Sequence, residues 1–171
     1  VRLTLVDRTV DLIEEGVDLA IRIARELAPG LAARTLCAMR YVLVAAPAYL
    51  DRNGVPETPQ ALPGHSCSHL GYGPFGDVWT LRRGDVIEHV KVPGRLTINN
   101  SAAILAMVES GGGIGLVPDF TAHAALAAGQ VQQVLPEWEF CEPYTGSVHA
   151  VYMPGPHLAL KVRAFVDYLA S

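Results

Sequence analysis

The stretch LTINNSAAILAMVESGGGIGLVPDF, residues 96–120, holds the pattern that decides the fold class. The alternation of apolar and polar residues at its start predicts a strand, and the apolar run 114–117 predicts a buried one. Between them, Asn100 and Ser101 are good N-cap residues for a helix predicted over 102–110, and the three glycines that follow end this helix. A strand, a helix and a strand in this order are typical of an α/β fold.

The same pattern extends outward in both directions along the chain. Apolar runs at 18–23 and 41–46 predict further strands, and residues 158–170 predict a closing helix with an apolar stripe. Alternation over Val1–Val6 predicts a strand at the start of the chain. Because most of these strands are apolar on both faces, we expect a parallel sheet covered by helices.

Composition and charge exclude several classes of protein. The chain has 171 residues, of which 50% are hydrophobic and 18% are charged, so it is not intrinsically disordered. Its net charge is −4, and residues 101–145 hold five acidic residues and no Lys or Arg, which disfavours a nucleic-acid-binding surface there. Three scattered cysteines argue against a disulfide framework and favour the cytoplasm. No apolar run is long enough for a membrane span, so no membrane partner is expected.

The candidate ligand site follows from the rule that ligands bind beyond the carboxyl ends of strands in an open α/β sheet. The helix that begins at Ser101 presents free N–H groups to an anion, and Arg22 offers a bidentate guanidinium for a carboxylate. A small, anionic effector is therefore expected. The alternatives stay open that Asn100 and Ser101 only cap the helix and that Arg22 only forms an ion pair. The predicted effector-binding residues are Arg22, Ala45, Ala46, Asn99, Asn100, Ser101, Val117, Pro118 and Phe120.

Two motifs with other chemistry are weighed and set aside. His65, Cys67 and His69 alternate, so in a strand they would share one face, but a closed zinc site needs a fourth ligand that the sequence does not place. Residues 71–76 spell G-x-G-x-x-G, yet Pro74 interrupts the motif and a strand rather than a helix follows it. Neither a metal nor a cofactor is expected.

Six segments, taken in order, resemble the effector-binding domain of LysR-type transcriptional regulators. The segments are DLAIR at 18–22, YVLVAAPAYL at 41–50, TPQALPGHSC at 58–67, GRL at 94–96 with NN at 99–100, GIGLVPDF at 113–120, and HLALKVRAFVDYL at 157–169. Their order and spacing across nearly the whole chain carry the resemblance. Ala46 departs from it, since serine is common there, and this removes a hydroxyl from the expected pocket.

The resemblance implies an α/β fold like that of type 2 periplasmic binding proteins, with two Rossmann-like lobes and a ligand cleft between them. Lobe I would comprise residues 1–46 and 146–171, and lobe II residues 47–145. It also implies an N-terminal winged helix-turn-helix, and a first strand and helix of lobe I, that are absent from this sequence. The protein would be a cytoplasmic homodimer or tetramer that senses a small-molecule effector and binds DNA only through that absent domain.

Two other functions fit the residues less well. A solute-binding protein of a transporter shares the fold but would carry a signal peptide, which this sequence does not show. An α/β enzyme would need a pair of titratable residues at the strand ends, and Asp119 is a single candidate. We therefore expect a domain without catalytic residues.

Overall fold

The computed structural model describes residues 1–6, 10–24, 29–70, 76–155 and 159–170. Most of the G-x-G-x-x-G motif and the first residue of the predicted closing helix lie outside these ranges. Within them, no helix combines the length and the apolar character that crossing a membrane requires.

The described residues form strands and helices in the following order. The strands are β1 (Ala20–Ala24), β2 (Ala32–Ala45), β3 (Cys67–His69), β4 (Val78–Arg83), β5 (Val86–Lys91), β6 (Leu96–Thr97), β7 (Ile114–Pro118), β8 (Gln132–Val134), β9 (Glu139–Phe140) and β10 (Thr145–Tyr152). The helices are α1 (Pro47–Asn53), α2 (Ser101–Glu109), α3 (Asp119–Ala127) and α4 (Leu160–Leu169), with a short 3-10 helix over Pro59–Gly64.

The chain divides into two compact units. Unit 1 comprises Val1–Met39 and Gly146–Ser171, and unit 2 comprises Arg40–Thr145. The sequence places the first boundary after residue 46, whereas the structure places it inside β2. The reason is that the second half of β2 pairs with β7 and β8, both of which belong to unit 2.

Unit 1 contains β1, which is antiparallel to β10, and α4. Its core joins Ala150 of β10 to Val162 and Val166, which lie one turn apart on α4. The strand predicted over Val1–Val6 is wrong, because these residues have no regular structure and Leu3 and Leu5 are exposed. Apolar alternation alone does not make a strand, which also needs a neighbour to complete its hydrogen bonds.

Unit 2 contains a mixed sheet and a separate three-stranded sheet. In the mixed sheet, β3 is parallel to both β6 and β7, while β2 is antiparallel to β7. The expected parallel sheet is therefore correct only for β3, β6 and β7. The three-stranded sheet has the order β5-β4-β9 and is antiparallel.

Helix α2 packs closely on β7 because of Gly115. A Cβ atom at this position would lie 2.5 Å from a methyl carbon of Val108 and 2.8 Å from one of Ile104. Both of these α2 side chains are fully buried. The glycine thus allows α2, which begins at Ser101 after the Asn100 cap, to approach the strand closely.

Candidate functional site

The carboxyl ends of the three parallel strands in unit 2 lie at one edge of the mixed sheet. Helix α3 begins at Asp119, directly after β7, and α2 begins at Ser101, four residues after β6 ends at Thr97. Both helices therefore start at this edge with backbone N–H groups that have no partner within the helix and with the positive ends of their dipoles. This is the arrangement in which α/β proteins bind anionic groups.

Two hydroxyls meet where these helices begin. Ser101 Oγ lies 3.2 Å from Thr121 Oγ1, and both side chains are half-buried. Asn100 caps α2, since its Oδ1 accepts a hydrogen bond of 3.0 Å from the Ala103 N–H. The capping role expected of Asn100 is thus confirmed. It leaves other donors at the first turn of α2 for a ligand.

An ion pair lies beside these hydroxyls. Arg40 Nε and Asp119 Oδ2 are 3.7 Å apart, and Asp119 Oδ1 accepts a hydrogen bond from the Phe120 N–H. Arg40 precedes Tyr41, which pairs with Pro118 across the sheet. A cation, an anion and two hydroxyls therefore share this edge, which suits a ligand that carries a carboxylate together with polar groups.

The predicted site residues at this edge differ in exposure. Asn99, Asn100 and Phe120 are exposed, whereas Val117 and Pro118 are buried in the sheet. The side chain of Phe120 is 54% exposed, an unusual environment for an aromatic ring. Val117 and Pro118 thus set the position of the edge and do not present free side chains to solvent.

Ala45 and Ala46 do not lie at this edge. The antiparallel register places Ala45 opposite Ile114, which is the first residue of β7, while Tyr41 lies opposite Pro118. The carboxyl end of β2 therefore lies beside the amino end of β7. The expectation that Ala45 and Ala46 share an edge with residues 117–120 is wrong, because it assumed that β2 and β7 are parallel.

Arg22 lies on unit 1. It is paired with His149 between β1 and β10, and its guanidinium donates a hydrogen bond to the Val10 carbonyl. The guanidinium thus binds backbone within its own unit. Its place in an effector site remains a prediction.

Two of the three residues weighed as metal ligands, Cys67 and His65, have other hydrogen-bond partners. The Cys67 thiol is buried and points at the Leu62 carbonyl, 3.5 Å away, and burial raises the pKa of Cys67 to about 12. His65 Nδ1 lies 3.2 Å from the Tyr49 hydroxyl. Burial lowers the pKa of His69, and the Asp77 carboxylate partly offsets this shift. Across the ranges that the structure describes, no group of three His, Cys, Asp or Glu side chains is placed to hold a metal.

Sequence reasoning missed Arg40, Asp119 and Thr121 as members of the predicted site. Asp119 stands at a predicted strand end together with Val117, Pro118 and Phe120, although it is not among the predicted effector-binding residues. Thr121 follows β7 by three residues, and the rule on strand ends would have included it had α3 been taken to begin at Asp119. Arg40 had no usable signal, since it enters the site only because β2 runs antiparallel to β7.

The chain forms two α/β units, and the second unit consists of the middle of the chain. This division is typical of two-lobed α/β domains, the class to which type 2 periplasmic binding proteins belong. The chain belongs to the LysR substrate binding domain family, whose model matches residues 1–171. This finding confirms the family and fold class expected from the sequence.

Individual relatives agree with this assignment. The chain is 43% identical over 169 residues to the probable HTH-type transcriptional regulator LtrA of Klebsiella pneumoniae, covering 99% of this chain and 55% of that protein. It is 35% identical over 170 residues to the HTH-type transcriptional regulator DmlR of Escherichia coli, covering 98% of this chain and 54% of that protein. The chain thus spans about half the length of these curated relatives.

The fold is also that of a solved LysR-type regulatory domain. The structure superposes on the regulatory domain of CrgA from Neisseria meningitidis with a TM-score of 0.80 at 28% sequence identity. The match covers 92% of this chain and 76% of the CrgA domain.

Proposed function

We propose that this chain is the effector-sensing domain of a cytoplasmic LysR-type transcriptional regulator, and that it binds a small anionic metabolite at the carboxyl edge of unit 2. The observation that carries the proposal is the pair of hydroxyls of Ser101 and Thr121, 3.2 Å apart where α2 and α3 begin. Two helices begin beside this pair of hydroxyls, and the hydrogen-bond donors of their first turns suit a carboxylate.

The regulator itself would be longer than this chain. The relatives that we cite are named as HTH-type regulators and are nearly twice as long as the segment that they share with this chain. We propose that the whole protein binds DNA through a helix-turn-helix domain and acts as a homodimer or tetramer. Effector binding would favour one conformation of the assembly and so shift its activity on DNA.

The two other functions find less support. A transporter's solute-binding protein would share the fold, but the relatives in hand are named as regulators. An enzyme would need a free titratable residue at the site, and Asp119 is bound by Arg40 and by the Phe120 N–H. We therefore propose no catalytic step.

The test is a thermal unfolding experiment with a panel of small carboxylates, each paired with its neutral amide. A ligand at about 100 times its Kd stabilises a protein by roughly 2.7 kcal/mol, or a rise in Tm of roughly 5–10 °C at this size. We expect a saturable rise for one class of carboxylate and none for its amide. A panel in which no carboxylate raises Tm, or in which the amides do so equally well, would contradict the proposal.

A further inference from the structure

Unit 2 has a cavity at the opposite edge of its mixed sheet, where the parallel strands begin. Its volume is about 610 Å³, within the range of small-molecule sites. Its lining includes Tyr49, Arg52, Ser66, Arg95, Gly111 and Gly112. Ser66 directly precedes β3, Arg95 precedes β6, and Gly112 lies two residues before β7. We call it the amino-edge cavity, and it lies away from the hydroxyl pair at the carboxyl edge.

The distribution of charged residues in unit 2 distinguishes this cavity from the rest of the unit. Unit 2 holds six Lys and Arg residues against ten Asp and Glu. Within the described residues, four of these cations form ion pairs: Arg40 with Asp119, Arg82 with Glu139, Arg83 with Glu137, and Lys91 with Asp77. The two that pair with no described carboxylate, Arg52 and Arg95, both line the amino-edge cavity. Two arginines without an ion-pair partner among the described residues thus line one concavity of an acidic unit, and their charge attracts an anion.

Local bonds leave donors free on both side chains. Arg52 Nη2 makes one long hydrogen bond of 3.5 Å to the Gly111 carbonyl at the end of α2. This contact uses one of the five donors of its guanidinium. Arg95 makes no side-chain hydrogen bond to any part of the chain that the structure describes, so all of its donors remain for a ligand.

The walls of the cavity are held in place by close packing. The Tyr49 hydroxyl accepts a hydrogen bond of 3.0 Å from the Ser66 N–H, which ties α1 to the segment before β3. A Cβ atom on Gly112 would lie 2.5 Å from Met107 Sδ, and one on Gly113 would lie 2.1 Å from the Ser66 carbonyl oxygen. These contacts order the backbone around the guanidiniums, which reduces the entropy that ligand binding would lose.

We propose that the amino-edge cavity is a second ligand site, which binds a small molecule through a phosphate or carboxylate group on Arg52 and Arg95. The planar guanidinium fork matches both oxyanions, so the two sources share one chemistry. Tyr49, Ser66, Gly111 and Gly112 line part of the remainder. This site is separate from the proposed effector site, and it can be tested independently of that site.

The test is an NMR titration of the ¹⁵N-labelled chain with potassium phosphate, and separately with malonate, at ionic strength held constant with chloride. We expect saturable shifts of the Ser66, Gly111 and Gly112 amides with at least one of the two anions. Tighter binding of phosphate would assign the site to phosphorylated ligands, and tighter binding of malonate would assign it to carboxylates. Shifts that do not saturate with either anion would overturn the proposal.

Two matched variants test whether anion binding depends on the guanidinium of Arg95 or only on the total charge of the chain. Arg95→Gln should weaken binding at least tenfold. Arg163→Gln removes the same charge from an exposed position on α4 in unit 1 and should change the affinity less than twofold. Equal weakening by both variants would overturn the site. The amides of Ser101 and Thr121 serve as a separate reporter, so a failure here would be distinguishable from a failure of the effector site.

Discussion

Gly113 shows how a single residue can set the geometry of unit 2. Its φ of 149° lies in the region that favours glycine, and a Cβ atom there would lie 2.1 Å from the backbone oxygen of Ser66. Because that oxygen accepts the hydrogen bond of Ile114 that joins β3 to β7, it has little freedom to move. The three-glycine run that follows α2 therefore serves close packing.

We predict that Gly113→Ala lowers the free energy of unfolding by more than about 3 kcal/mol, through backbone strain and the clash with Ser66. Gly129 is the matched control, since its φ is 69° and nothing lies within 4 Å of its Cβ position. Gly129→Ala should cost only about 1 kcal/mol. Urea denaturation of both variants checks this, and equal losses would contradict the packing explanation.

The buried thiol of Cys67 makes the free energy of unfolding depend on pH. Burial raises its pKa from 9.0 to about 12, so above pH 9 the unfolded chain loses a proton that the folded chain keeps. Its contribution to stability is complete below pH 9 and falls as the pH rises further. From pH 8 to 10 the loss due to this thiol should be about 1.4 kcal/mol. Urea denaturation at both pH values measures it.

The control for this pH effect is Cys67→Ala, which loses some stability at every pH but should show a smaller difference between pH 8 and 10. Burial also raises the pKa of Tyr144 to about 12. Because Tyr144 is present in both proteins, its effect on the pH dependence of stability is the same in both. An identical pH dependence for the variant and the parent chain would show that Cys67 is not responsible.

At the scale of elements, the sequence predicts that β2 is a buried strand but does not predict the direction in which it runs. The apolar run 41–46 correctly predicts a buried strand, and the caps at Asn100 and Ser101 place the start of α2 to within one residue. Periodicity carries no information on whether two distant strands run parallel, so it does not reveal that Ala45 and Ala46 lie at the edge opposite to residues 117–120. The apolar pattern does not predict the first half of β2, because Arg34, Thr35 and Arg40 interrupt it.

The three-stranded sheet depends on an aromatic cluster. Trp79 of β4 packs edge-on against Phe140 of β9, with ring centroids 5.6 Å apart, and Phe140 packs against Tyr144 at 5.2 Å. All three side chains are at least nine-tenths buried. Such contacts add to the hydrophobic stabilisation of the short strand β9.

We predict that Phe140→Ala lowers the free energy of unfolding by about 3–5 kcal/mol, as is usual for a buried phenylalanine. The same change at Phe120, whose side chain is 54% exposed, should cost less than about 1 kcal/mol. Chemical denaturation of the two variants compares them directly. If Phe120→Ala lowers the free energy of unfolding as much as Phe140→Ala, the burial of these side chains does not determine their contributions to stability.

At the scale of the whole molecule, unit 2 is a continuous segment whose two ends meet. The Tyr41 N–H donates a hydrogen bond of 3.3 Å to the Tyr144 carbonyl, and the two rings pack edge-on at 5.6 Å. A segment closed in this way has a core of its own and ends that do not need the rest of the chain to bring them together.

We therefore predict that residues 40–145 fold when expressed alone and give a dispersed amide NMR spectrum. Residues 47–145, which begin where the sequence placed the lobe boundary, should not fold. They lack the part of β2 that pairs with both β7 and β8. Two dispersed spectra would contradict the boundary inside β2, and two collapsed spectra would contradict the independence of unit 2.

The effector site at the start of α2 and α3 is the central claim. The most direct measurement is the affinity, by calorimetry, of a carboxylate selected in the thermal panel for Ser101→Ala and Ser110→Ala. A hydrogen bond to a charged group contributes about 1.5–3 kcal/mol, so Ser101→Ala should bind roughly 10–100-fold more weakly. Ser110 lies at the other end of α2, where its hydroxyl donates to the Ala106 carbonyl, so the loss of this hydroxyl should leave the affinity unchanged. Equal affinities for the two variants would contradict the assignment of the site.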